Sequence, residues 1–455
     1  MACSNIYIMT NTEWHNVNIA VLQELPNPDL IVILVPLSES ELKDGNLRNH
    51  RERQAMNFKR AWHLVLLERQ VQEKPKVKVI VKPLEGIEHW RKAIVDCLKD
   101  IETGAARNAS VTFSYISGPS QVKIGCWLGL DDLARQRPDL TIRRAAYEAT
   151  GHLRFYDSSG EEPKKEIRQD MSPEVWLAAR GFHEYEEARE KRHKNEEDAR
   201  KFAKTTRELG KLCFESYHTI GLGSGWLANV LRELRAHQTR PVTYRLDQVT
   251  RKASALKRRE NPEALDTGLT RLVTILGGLT ERFPGVELNK QDSSLTVPKK
   301  SASGLGTWLT GGWFEEFIYL LMTDRVGKDA LRLNMELRAE GLDDEESKIL
   351  KDNSARELDI VVMGKSQMHV IECKASGYGY SKASGLEKPG KWREQCVGIR
   401  KDMIGPRGRI HLFSTNYFAR NNVTRKFFEM QGITLASNLA EIKAACDRLA
   451  ADIRP

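Results

Sequence analysis

The sequence lacks the features that mark several common classes of protein. Its seven cysteines are scattered, with no CxxC pair and no repeated spacing. That distribution argues against a disulfide framework and against a zinc site, and it predicts reduced thiols. No apolar run approaches about 18 residues, and the first residues lack the charged and apolar segments of a secretory signal. We therefore expect neither a membrane helix nor secretion, but a soluble protein of the cytoplasm.

Charge of one sign is in modest excess. The 455 residues include 71 Lys and Arg against 62 Asp and Glu, which is a formal net charge of +9. A positive balance suits a partner made of phosphates, although alone it is weak support. At this length two or three domains are expected, and a hydrophobic content of 40% suffices for their cores.

The first 150 residues alternate between strand-like and helix-like segments. Helical patterns separate four apolar runs, which lie at 5–9, 30–35, 77–81 and 111–116. This alternation predicts an α/β domain with a parallel, doubly wound sheet, which we place at 1–150.

A sheet of this kind binds ligands at the edge where its strands end. Small hydroxyl and amide side chains follow three of the predicted strands, and backbone N–H groups at helix starts there would favour phosphate. The predicted rim residues are Thr10, Asn11, Thr12, Ser38, Ser117, Gly118, Ser120 and Gln121. The alternative interpretation is that they are ordinary helix N-caps and turn residues.

The middle of the chain, which we place at 151–285, has a different character. Residues 156–160 form a turn cluster, and residues 183–210 are rich in Glu, Lys, Arg and Ala with few apolar side chains. The charged run predicts a long exposed helix with i,i+4 ion pairs, either a solvated spacer or a surface that faces nucleic acid. Helical patterns further on are typical of a small helix-turn-helix or winged-helix module.

A hairpin towards the end of the chain carries the functional argument. The stretch 358–373 contains two apolar, strand-like runs joined by a short polar loop. A fold symmetric about the middle of the loop places Asp359 opposite Glu372. The next pair on that face is then Glu357 and Lys374. Because side chains alternate across a strand, all four project from one face, and the other face is apolar.

Two adjacent carboxylates repel each other unless a cation lies between them. Oxygen ligands suit Mg²⁺ or Mn²⁺, and such a metal would activate water and neutralise the charge that develops in phosphodiester hydrolysis. We therefore predict that Asp359 and Glu372 bind a divalent metal and that Lys374 orients the attacking water. These residues indicate a metal-dependent nuclease site.

Another interpretation of the hairpin needs no catalysis. A surface hairpin with ion pairs on a solvent-exposed face would show the same pattern, each pair contributing roughly 0–1 kcal/mol. An aspartate and a glutamate at matching positions inside otherwise apolar strands, with the lysine in place, favour the nuclease site instead.

The spacing D-x12-E-x-K resembles the core of the PD-(D/E)xK nuclease superfamily. Upstream, residues 311–321 read G-G-W-F-E-E-F-I-Y-L-L. They are similar to the G-G-W-L-E-E-x-V-Y element of CRISPR-associated nucleases that join a CARF sensor to such a nuclease domain. The resemblance extends over residues 286–438 and implies a restriction-endonuclease-like domain at 286–455. The implied catalytic residues are Glu315, Asp359, Glu372 and Lys374, with the three acids as metal ligands.

The N-terminal domain is similar to the CARF sensor of type III CRISPR systems, which binds cyclic oligoadenylate across a dimer axis. In that family a T-G-G-T-K-like turn commonly follows the fourth strand. The matching turn here is Ser-Gly-Pro-Ser-Gln at 117–121, in which Gln121 stands in place of the lysine and Lys123 is the next cation. The resemblance implies a homodimer in a prokaryotic cytoplasm. It also implies that cyclic oligoadenylate, expected to be the tetra-adenylate, binds at the rim, Lys123 included.

Together these expectations describe a nuclease that is controlled by a ligand. Cyclic oligoadenylate would shift two nuclease domains of a homodimer towards an active arrangement. Cleavage of DNA, RNA or both would have low sequence specificity. One alternative is a nuclease of the same chemistry that responds to another ligand. A second is a non-catalytic regulator with a Rossmann-like sensor, whose basic middle region binds DNA.

Overall fold

The computed structural model describes most of the chain. The described residues are 5–11, 15–84, 86–99, 110–116, 118–147, 152–157, 160–161, 165–166, 171–218, 220, 226–235, 242–255, 262–339, 356–364, 367–375, 387–405, 408–415 and 422–453. No helix within these ranges has both the length and the apolar character needed to cross a bilayer.

Eight strands form the N-terminal sheet. The elements are β1 (Asn5–Thr10), α1 (His15–Gln23), β2 (Leu30–Leu37), α2 (Glu39–Lys43), α3 (Gly45–Glu68), β3 (Lys76–Pro83), α4 (Ile87–Lys99), β4 (Ser110–Ser114), α5 (Ser120–Gln136), β5 (Thr141–Tyr147), β6 (His152–Asp157), β7 (Gly160–Glu161) and β8 (Lys165–Glu166). The order is β3-β2-β1-β4-β5-β6-β7, with β8 beside β6. Strands β1 to β5 are parallel and β6 is antiparallel to β5. The predicted Rossmann-like domain is confirmed.

Helices cover both faces of this sheet, which explains why its strands read as continuous apolar runs. Tyr7 and Ile33 pack on one side with Trp62 of α3. Ile8 and Val32 pack on the other side with α4 and α5. Neighbouring residues of one strand therefore enter two different cores, as the two-residue repeat of a strand requires.

The end of this sheet differs from the sequence prediction. The turn cluster predicted at 156–160 is wrong at its start, because Tyr156 and Asp157 end β6. Tyr156 there pairs with Arg144 of β5. A neighbouring strand supplies hydrogen-bond partners to a polar sequence that has little strand character of its own, so tertiary pairing overrides the local pattern.

The charged run of the middle region, together with the helix before it, forms four elements. They are α6 (Pro173–Ala179), β9 (Phe182–Glu184), α7 (Glu186–Lys201) and α8 (Ala203–His218). The prediction of one long exposed helix is wrong, because the run is divided between α7 and α8 and has a buried side. Arg192 is 2% exposed, and it donates to Glu184 and Glu196. Since these charges satisfy each other, they can lie in an interior that composition does not predict.

A small helical unit with a three-stranded sheet follows. Its elements are α9 (Trp226–Arg235), β10 (Val242–Arg245), α10 (Leu246–Ala255), α11 (Pro262–Gly277), β11 (Glu287–Asn289) and β12 (Ser294–Val297). The sheet is antiparallel, in the order β10-β12-β11. Helix, strand, two helices and two strands follow one another as they do in a winged helix.

The C-terminal part contains the second large sheet. Its elements are α12 (Lys299–Thr307), a first π segment (Trp308–Gly312), α13 (Trp313–Val326), β13 (Leu331–Ala339), β14 (Arg356–Gly364), β15 (Gln367–Lys374), α14 (Glu387–Gly398), a second π segment (Ile399–Ile404), β16 (Arg409–Ser414), α15 (Asn422–Glu429), β17 (Ile433–Ala436) and α16 (Leu439–Ile453). The order is β17-β16-β15-β14-β13-β9. Helices α13 and α16 cover one face, and α14 and α15 cover the other together with α3 and α6.

The three predicted domains share contacts. Strand β9 extends the C-terminal sheet, with Glu184 paired to Leu337 of β13. Trp176 of α6 enters the same core as Trp62 of α3 and Val370 of β15. The domain boundaries at 150 and 285 stay predictions.

Candidate active site

The hairpin of β14 and β15 has the predicted register. Ile360 pairs with Ile371. One residue further from the hairpin loop on each strand, Asp359 therefore lies next to Glu372. The two carboxylates therefore occupy neighbouring positions on one face of the sheet.

The face that carries these acids is buried. Glu372 is 0% exposed and Asp359 is 8% exposed, and Met368 and Val370 beside them are also buried. The alternative of a surface hairpin with a solvent-exposed face is therefore wrong. Burial of carboxylates is costly unless they are paired or bind a cation, which favours a functional role for this pair.

Lys374 lies between the two acids. Its Nζ is 3.1 Å from Glu372 Oε2 and 3.8 Å from Asp359 Oδ2. Asp359 Oδ2 also accepts a hydrogen bond of 2.6 Å from the backbone N–H of Cys373. Burial by itself would lower the pKa of Lys374, but the charges of Asp359 and Glu372 raise it above its ordinary value. The side chain is therefore an ammonium ion.

Helix α13 supplies the fourth predicted residue. Glu315 lies in the first turn of α13, directly after the first π segment. Single π turns inside helices are rare and are frequent at functional sites. Asn334 Nδ2 of β13 donates to Glu315 Oε2 at 2.9 Å. The charges of Asp359 and Lys374 both act on Glu315, so the structure brings all four predicted catalytic residues to one site.

Two residues to which the sequence assigned no role hold these acids in place. One is Asn334, and the other is Gln395 of α14, whose Nε2 donates to Glu372 Oε2 at 2.9 Å. Asn334 has a φ of 56°, a left-handed conformation that asparagine tolerates better than most residues. In the sequence, the only sign of a role for Asn334 is an amide side chain inside an otherwise regular strand pattern.

Burial shifts the pKa values of all three acids upwards. Burial, reinforced by the charge of Asp359, raises the pKa of Glu372 to about 8. Burial together with Asp359 and Glu357 raises the pKa of Glu315 well above its usual range. Burial also raises the pKa of Asp359, against the opposing effect of Lys374. One lysine does not compensate this group of carboxylates, so ionising all of them requires a further cation.

The donor chemistry fits a divalent metal. Glu372 Oε1 is buried and has no hydrogen-bond partner within the described ranges, and the three acids offer the hard oxygen ligands that Mg²⁺ and Mn²⁺ prefer. As the side chains are placed, no three His, Cys, Asp or Glu residues of the described chain form a group that could hold a metal. The Lys374 ammonium lies between Asp359 and Glu372 instead. A metal bound by Glu315, Asp359 and Glu372 stays a prediction.

The N-terminal rim forms where β1 and β4 end. Gly118 has a φ of 102° and touches Thr10, because a Cβ at position 118 would lie 2.6 Å from Thr10 Cγ2. Asn11 Nδ2 donates to the backbone oxygen of Arg51 in α3 at 3.0 Å. Thr10 Oγ1 and Asn11 Oδ1 are buried and lack a hydrogen-bond partner in the part of the chain that is described. Such atoms are rare in proteins, and they fit a polar ligand at this edge.

Ser38 has a local role at the same edge. Its Oγ accepts from the backbone N–H of Glu41 at 3.3 Å, and its own backbone N–H donates to Glu41 Oε2 at 2.9 Å, which is a capping box for α2. Arg51 Nε donates in turn to Glu41 Oε1 at 2.9 Å. Ser38 is therefore an ordinary helix N-cap, as the alternative interpretation of the rim residues predicted.

The remaining rim residues lie at the start of α5. Ser120 and Gln121 are exposed, and Lys123 Nζ lies 5.0 Å from the ring centre of Tyr115. Two predicted positions, Thr12 and Ser117, lie outside the described residues.

A buried polar network supports this edge from below, and the sequence did not single it out. Tyr7 OH donates to Asn18 Oδ1 at 3.0 Å, and Ser114 Oγ donates to the same oxygen at 2.5 Å. The network joins β1, α1 and β4 beneath the rim. It therefore fixes the relative positions of the elements from which the rim is built.

The two sheets and the buried acids define a class of protein. It has a Rossmann-like N-terminal domain and a restriction-endonuclease-like C-terminal domain. Residues 305–443 match the family model of the Card1-like endonuclease domain, within and slightly beyond the predicted range of 286–438. The resemblance stated from the sequence is confirmed. No curated protein matches the chain.

Solved structures share the fold over the whole chain. Protein VC1899 from Vibrio cholerae has a TM-score of 0.64 at 14% identity, covering 98% of this chain and 97% of that one. Can2 from Sulfobacillus thermosulfidooxidans, solved in complex with cyclic tetra-adenylate, has a TM-score of 0.58 at 13% identity, covering 99% and 100%. A type III CRISPR defence DNA nuclease activated by cyclic oligoadenylate has a TM-score of 0.41 at 12% identity, covering 90% and 45%. At these identities the first two show a common fold.

Proposed function

We propose that this protein is a metal-dependent endonuclease of type III CRISPR defence, activated by cyclic oligoadenylate in the cytoplasm of a prokaryote. One observation carries the proposal: Asp359 and Glu372 are buried beside Lys374, Glu315 acts on the same group, and the pKa values of all three acids are raised. The match of residues 305–443 to the Card1-like endonuclease domain supports it. The fold shared with Can2 supports activation by cyclic tetra-adenylate.

The chain's own residues have distinct roles in this reaction. A divalent metal, Mg²⁺ or Mn²⁺, held by the three acids would supply positive charge to the scissile phosphate. The Lys374 ammonium positions the attacking water and stabilises the negative charge of the transition state. Gln395 fixes the carboxylate of Glu372, and Asn334 fixes that of Glu315. Such supporting hydrogen bonds typically matter about 10–100-fold for metal affinity or activity.

The substrate is DNA, RNA or both, cleaved with low sequence specificity. The formal net charge of +9 favours a polyanionic substrate. Contacts with a phosphate backbone bind without reading the bases.

Activation requires a ligand at the N-terminal rim of a homodimer. Thr10 and Asn11 present buried polar atoms without partners among the described residues, and helix α5 starts beside them at Ser120. The outer face of α5 carries Ile124 and Leu128, which are 41% and 37% exposed. We propose that this face meets the same face of a second copy, so that a cyclic ligand contacts both rims.

The regulator hypothesis has less support. A DNA-binding winged helix normally presents a recognition helix to the major groove, and α11 would be that helix. Its exposed residues include Glu263 and Asp266, and its arginine, Arg271, pairs with Glu215 at 2.9 Å. An acidic outer face repels the phosphate backbone.

A cleavage assay tests the proposal. Plasmid, single-stranded DNA and RNA are incubated with Mg²⁺ or Mn²⁺, with and without cyclic tetra- or hexa-adenylate, beside Glu372→Gln as the control. We expect cleavage that needs both metal and activator and is lost in the variant. Cleavage without activator would keep the catalytic site and reject the sensor. Binding of DNA without any cleavage would support the regulator.

A further inference from the structure

Helix α6 contacts both the sensor and the nuclease sheet. Ser172, its N-cap, donates from Oγ to Glu68 Oε1 of α3 at 2.5 Å. Trp176 Nε1 donates to the backbone oxygen of Ile404 at 3.3 Å. The helix thus joins α3, which touches the rim through Arg51, to the second π segment.

Arg180, the C-cap of α6, forms hydrogen bonds with the same segment. Its Nη2 donates to the backbone oxygens of Lys401 at 3.0 Å and Asp402 at 3.4 Å. The guanidinium also lies against Gly405, where an added Cβ would be 3.4 Å from Arg180 Cζ. Carbonyls that would otherwise end a helix unpaired are therefore held by one cationic side chain.

The second π segment continues α14 directly. Helix α14 carries Gln395, which donates to Glu372 Oε2. A helix transmits a displacement along its axis, so movement of residues 399–404 changes the position of Gln395 and with it the carboxylate of Glu372.

Helix α6 also contacts α1, the helix that follows the rim residues Thr10 and Asn11 in the chain. His15, which begins α1 four positions after Asn11, is buried. Burial first, and the positive charge of Arg180 second, lower the pKa of His15 to about 3. One guanidinium therefore acts on a residue next to the rim and holds the segment that leads to the catalytic acid.

We propose that Arg180 is the positioning residue that couples ligand binding at the rim to Glu372. The inference rests on the proposed function and names its regulation. In the structure the guanidinium holds the neutral carbonyls of Lys401 and Asp402. Phosphate forms shorter, stronger, charge-assisted hydrogen bonds with arginine. An anionic oligoadenylate therefore draws Arg180 to its phosphates and releases the second π segment.

The second π segment is either held by Arg180 or released from it. These two states differ in a contact that only the ligand can make, as a ligand-driven shift requires. While Arg180 holds the segment, Gln395 fixes the Glu372 carboxylate beside the Lys374 ammonium. Release of the segment frees Gln395 and Glu372 to move, and that movement lets the acids close around a cation.

The test compares Arg180→Ala with wild type and with Arg69→Ala. Arg69 is a matched control, because its Nη2 also donates to a backbone oxygen, that of Gln23 at 3.3 Å, and not to one in the second π segment. Three quantities are measured on the full chain: binding of labelled cyclic tetra-adenylate, stimulation of cleavage at saturating ligand, and amide hydrogen exchange at residues 399–404. The exchange measurement needs neither metal nor substrate.

In wild type and in Arg69→Ala, ligand should raise exchange at residues 399–404. In Arg180→Ala, exchange should be high already without ligand and should not respond to it. The variant should still bind the ligand, about 10–100-fold more weakly because one charged hydrogen-bond donor is lost. Its stimulation at saturating ligand should fall by about tenfold or more, within the range of typical coupling.

Two results would overturn the inference alone. One is normal stimulation of Arg180→Ala at saturating ligand. The other is a wild-type protein that the ligand stimulates without any change of exchange at residues 399–404, a result that does not depend on whether the variant folds. A wild-type protein that binds no oligoadenylate overturns the proposed function, and this inference with it.

Discussion

Lys374 sets the charge of the site at the scale of single residues. Its ammonium lies within 4 Å of Asp359 and Glu372, and its side chain is 20% exposed. The acids hold it in place, while its partial exposure leaves it accessible to a substrate phosphate. A lysine in this position can both neutralise its neighbours and meet the developing negative charge of the reaction.

Replacing Lys374 by methionine should separate these two roles. Lys374→Met keeps the length of the side chain and removes its charge, so we expect kcat to fall by about 10²–10³-fold with little change in KM. Steady-state cleavage of one oligonucleotide measures both constants. Lys374→Arg is the control that keeps the charge. A kcat for the methionine variant close to that of wild type would contradict the role.

A buried pair of histidines gives the fold a dependence on pH. His369 and His411 stack with ring centres 5.5 Å apart. Burial lowers the pKa of His369 to about 4 and that of His411 to about 3. An unfolded chain takes up protons on these rings below pH 6.5, the ordinary pKa, whereas the folded chain does not. Their contribution to stability is therefore present above that pH and is lost as pH falls towards about 4.

His411→Phe should flatten this dependence. The free energy of unfolding in urea should fall less for the variant than for wild type between pH 7 and pH 5, because one titrating group has been removed. The exposed His89, replaced by Gln, should leave the wild-type slope unchanged. Equal slopes for wild type and His411→Phe would show that His411 takes up protons as readily in the folded protein as in the unfolded chain.

At the scale of elements, β13 connects α6 to Glu315, one of the predicted catalytic acids. Arg332 donates from Nε and Nη2 to Glu174 of α6 at 2.7 and 3.2 Å. Two residues later, Asn334 donates to Glu315. The left-handed backbone at Asn334 aims its amide at the start of α13, so the strand places the acid through one local distortion.

Asn334→Gly should test this placement without backbone strain, because glycine adopts a φ of 56° freely. We expect activity or metal affinity to fall by about 10–100-fold, the usual effect of losing a ligand's supporting hydrogen bond. Cleavage against Mn²⁺ concentration measures the metal requirement, and thermal unfolding checks the fold. An unchanged metal requirement would remove Asn334 from the site. Asn289→Gly, in the distant β11, is the matched control.

The residue after Glu315 anchors the same helix. Glu316 accepts from Arg282 Nη1 at 2.7 Å and Nη2 at 2.5 Å, and both side chains are less than 10% exposed. The Arg282 guanidinium lies 5.2 Å from the ring centre of Trp308 in the first π segment. This pair therefore ties the turn after α11 to the segment that orients Glu315.

A double-mutant cycle should show how the pair stabilises the fold. Arg282→Met or Glu316→Leu alone leaves a buried partner unpaired and should cost about 3–5 kcal/mol of unfolding free energy. Arg282→Met with Glu316→Leu should cost less than the sum of single substitutions, because neither charge is then stranded. Urea unfolding of the four proteins measures this, and additive losses would mean that the pair is not coupled.

At the scale of the whole molecule, helices that cover the N-terminal sheet also cover the C-terminal sheet. Tyr7 of β1, Trp62 of α3, Trp176 of α6 and Val370 of β15 belong to one core. A change at the sensor edge is therefore not isolated from the catalytic face, since close-packed interiors transmit displacements.

The proposed dimer face can be tested on the intact chain. Ile124→Glu together with Leu128→Glu should halve the mass measured by light scattering, because two charges would be buried at the α5 contact. Binding of cyclic tetra-adenylate should weaken in the same variant. Leu67→Glu, at a residue that is 62% exposed on α3, is the control that adds a charge elsewhere. A double variant that stays dimeric would place the interface on another surface.

Much of this architecture could be predicted from local patterns. The parallel strands of the sensor, the register of the hairpin and the position of Asp359 beside Glu372 follow from apolar runs, alternation and loop length. These signals are short in range, so a single sequence contains them. The predicted roles of Asp359, Glu372 and Lys374 rest on the same short-range signals, whereas the predicted role of Glu315 rests on the resemblance to a known family.

Tertiary structure alone decided the features whose partners are distant in the chain. No local pattern encodes the neighbours on which three of these features depend. They are the buried side of α7, strand β9 in the second sheet and strand β6. Gln395 reaches Glu372 across 23 positions, and Arg180 reaches Lys401 across 221. The sequence shows the same residue whether its charged or amide side chain contacts water or a protein partner. The partner is determined by tertiary packing, and the role of the side chain depends on that partner.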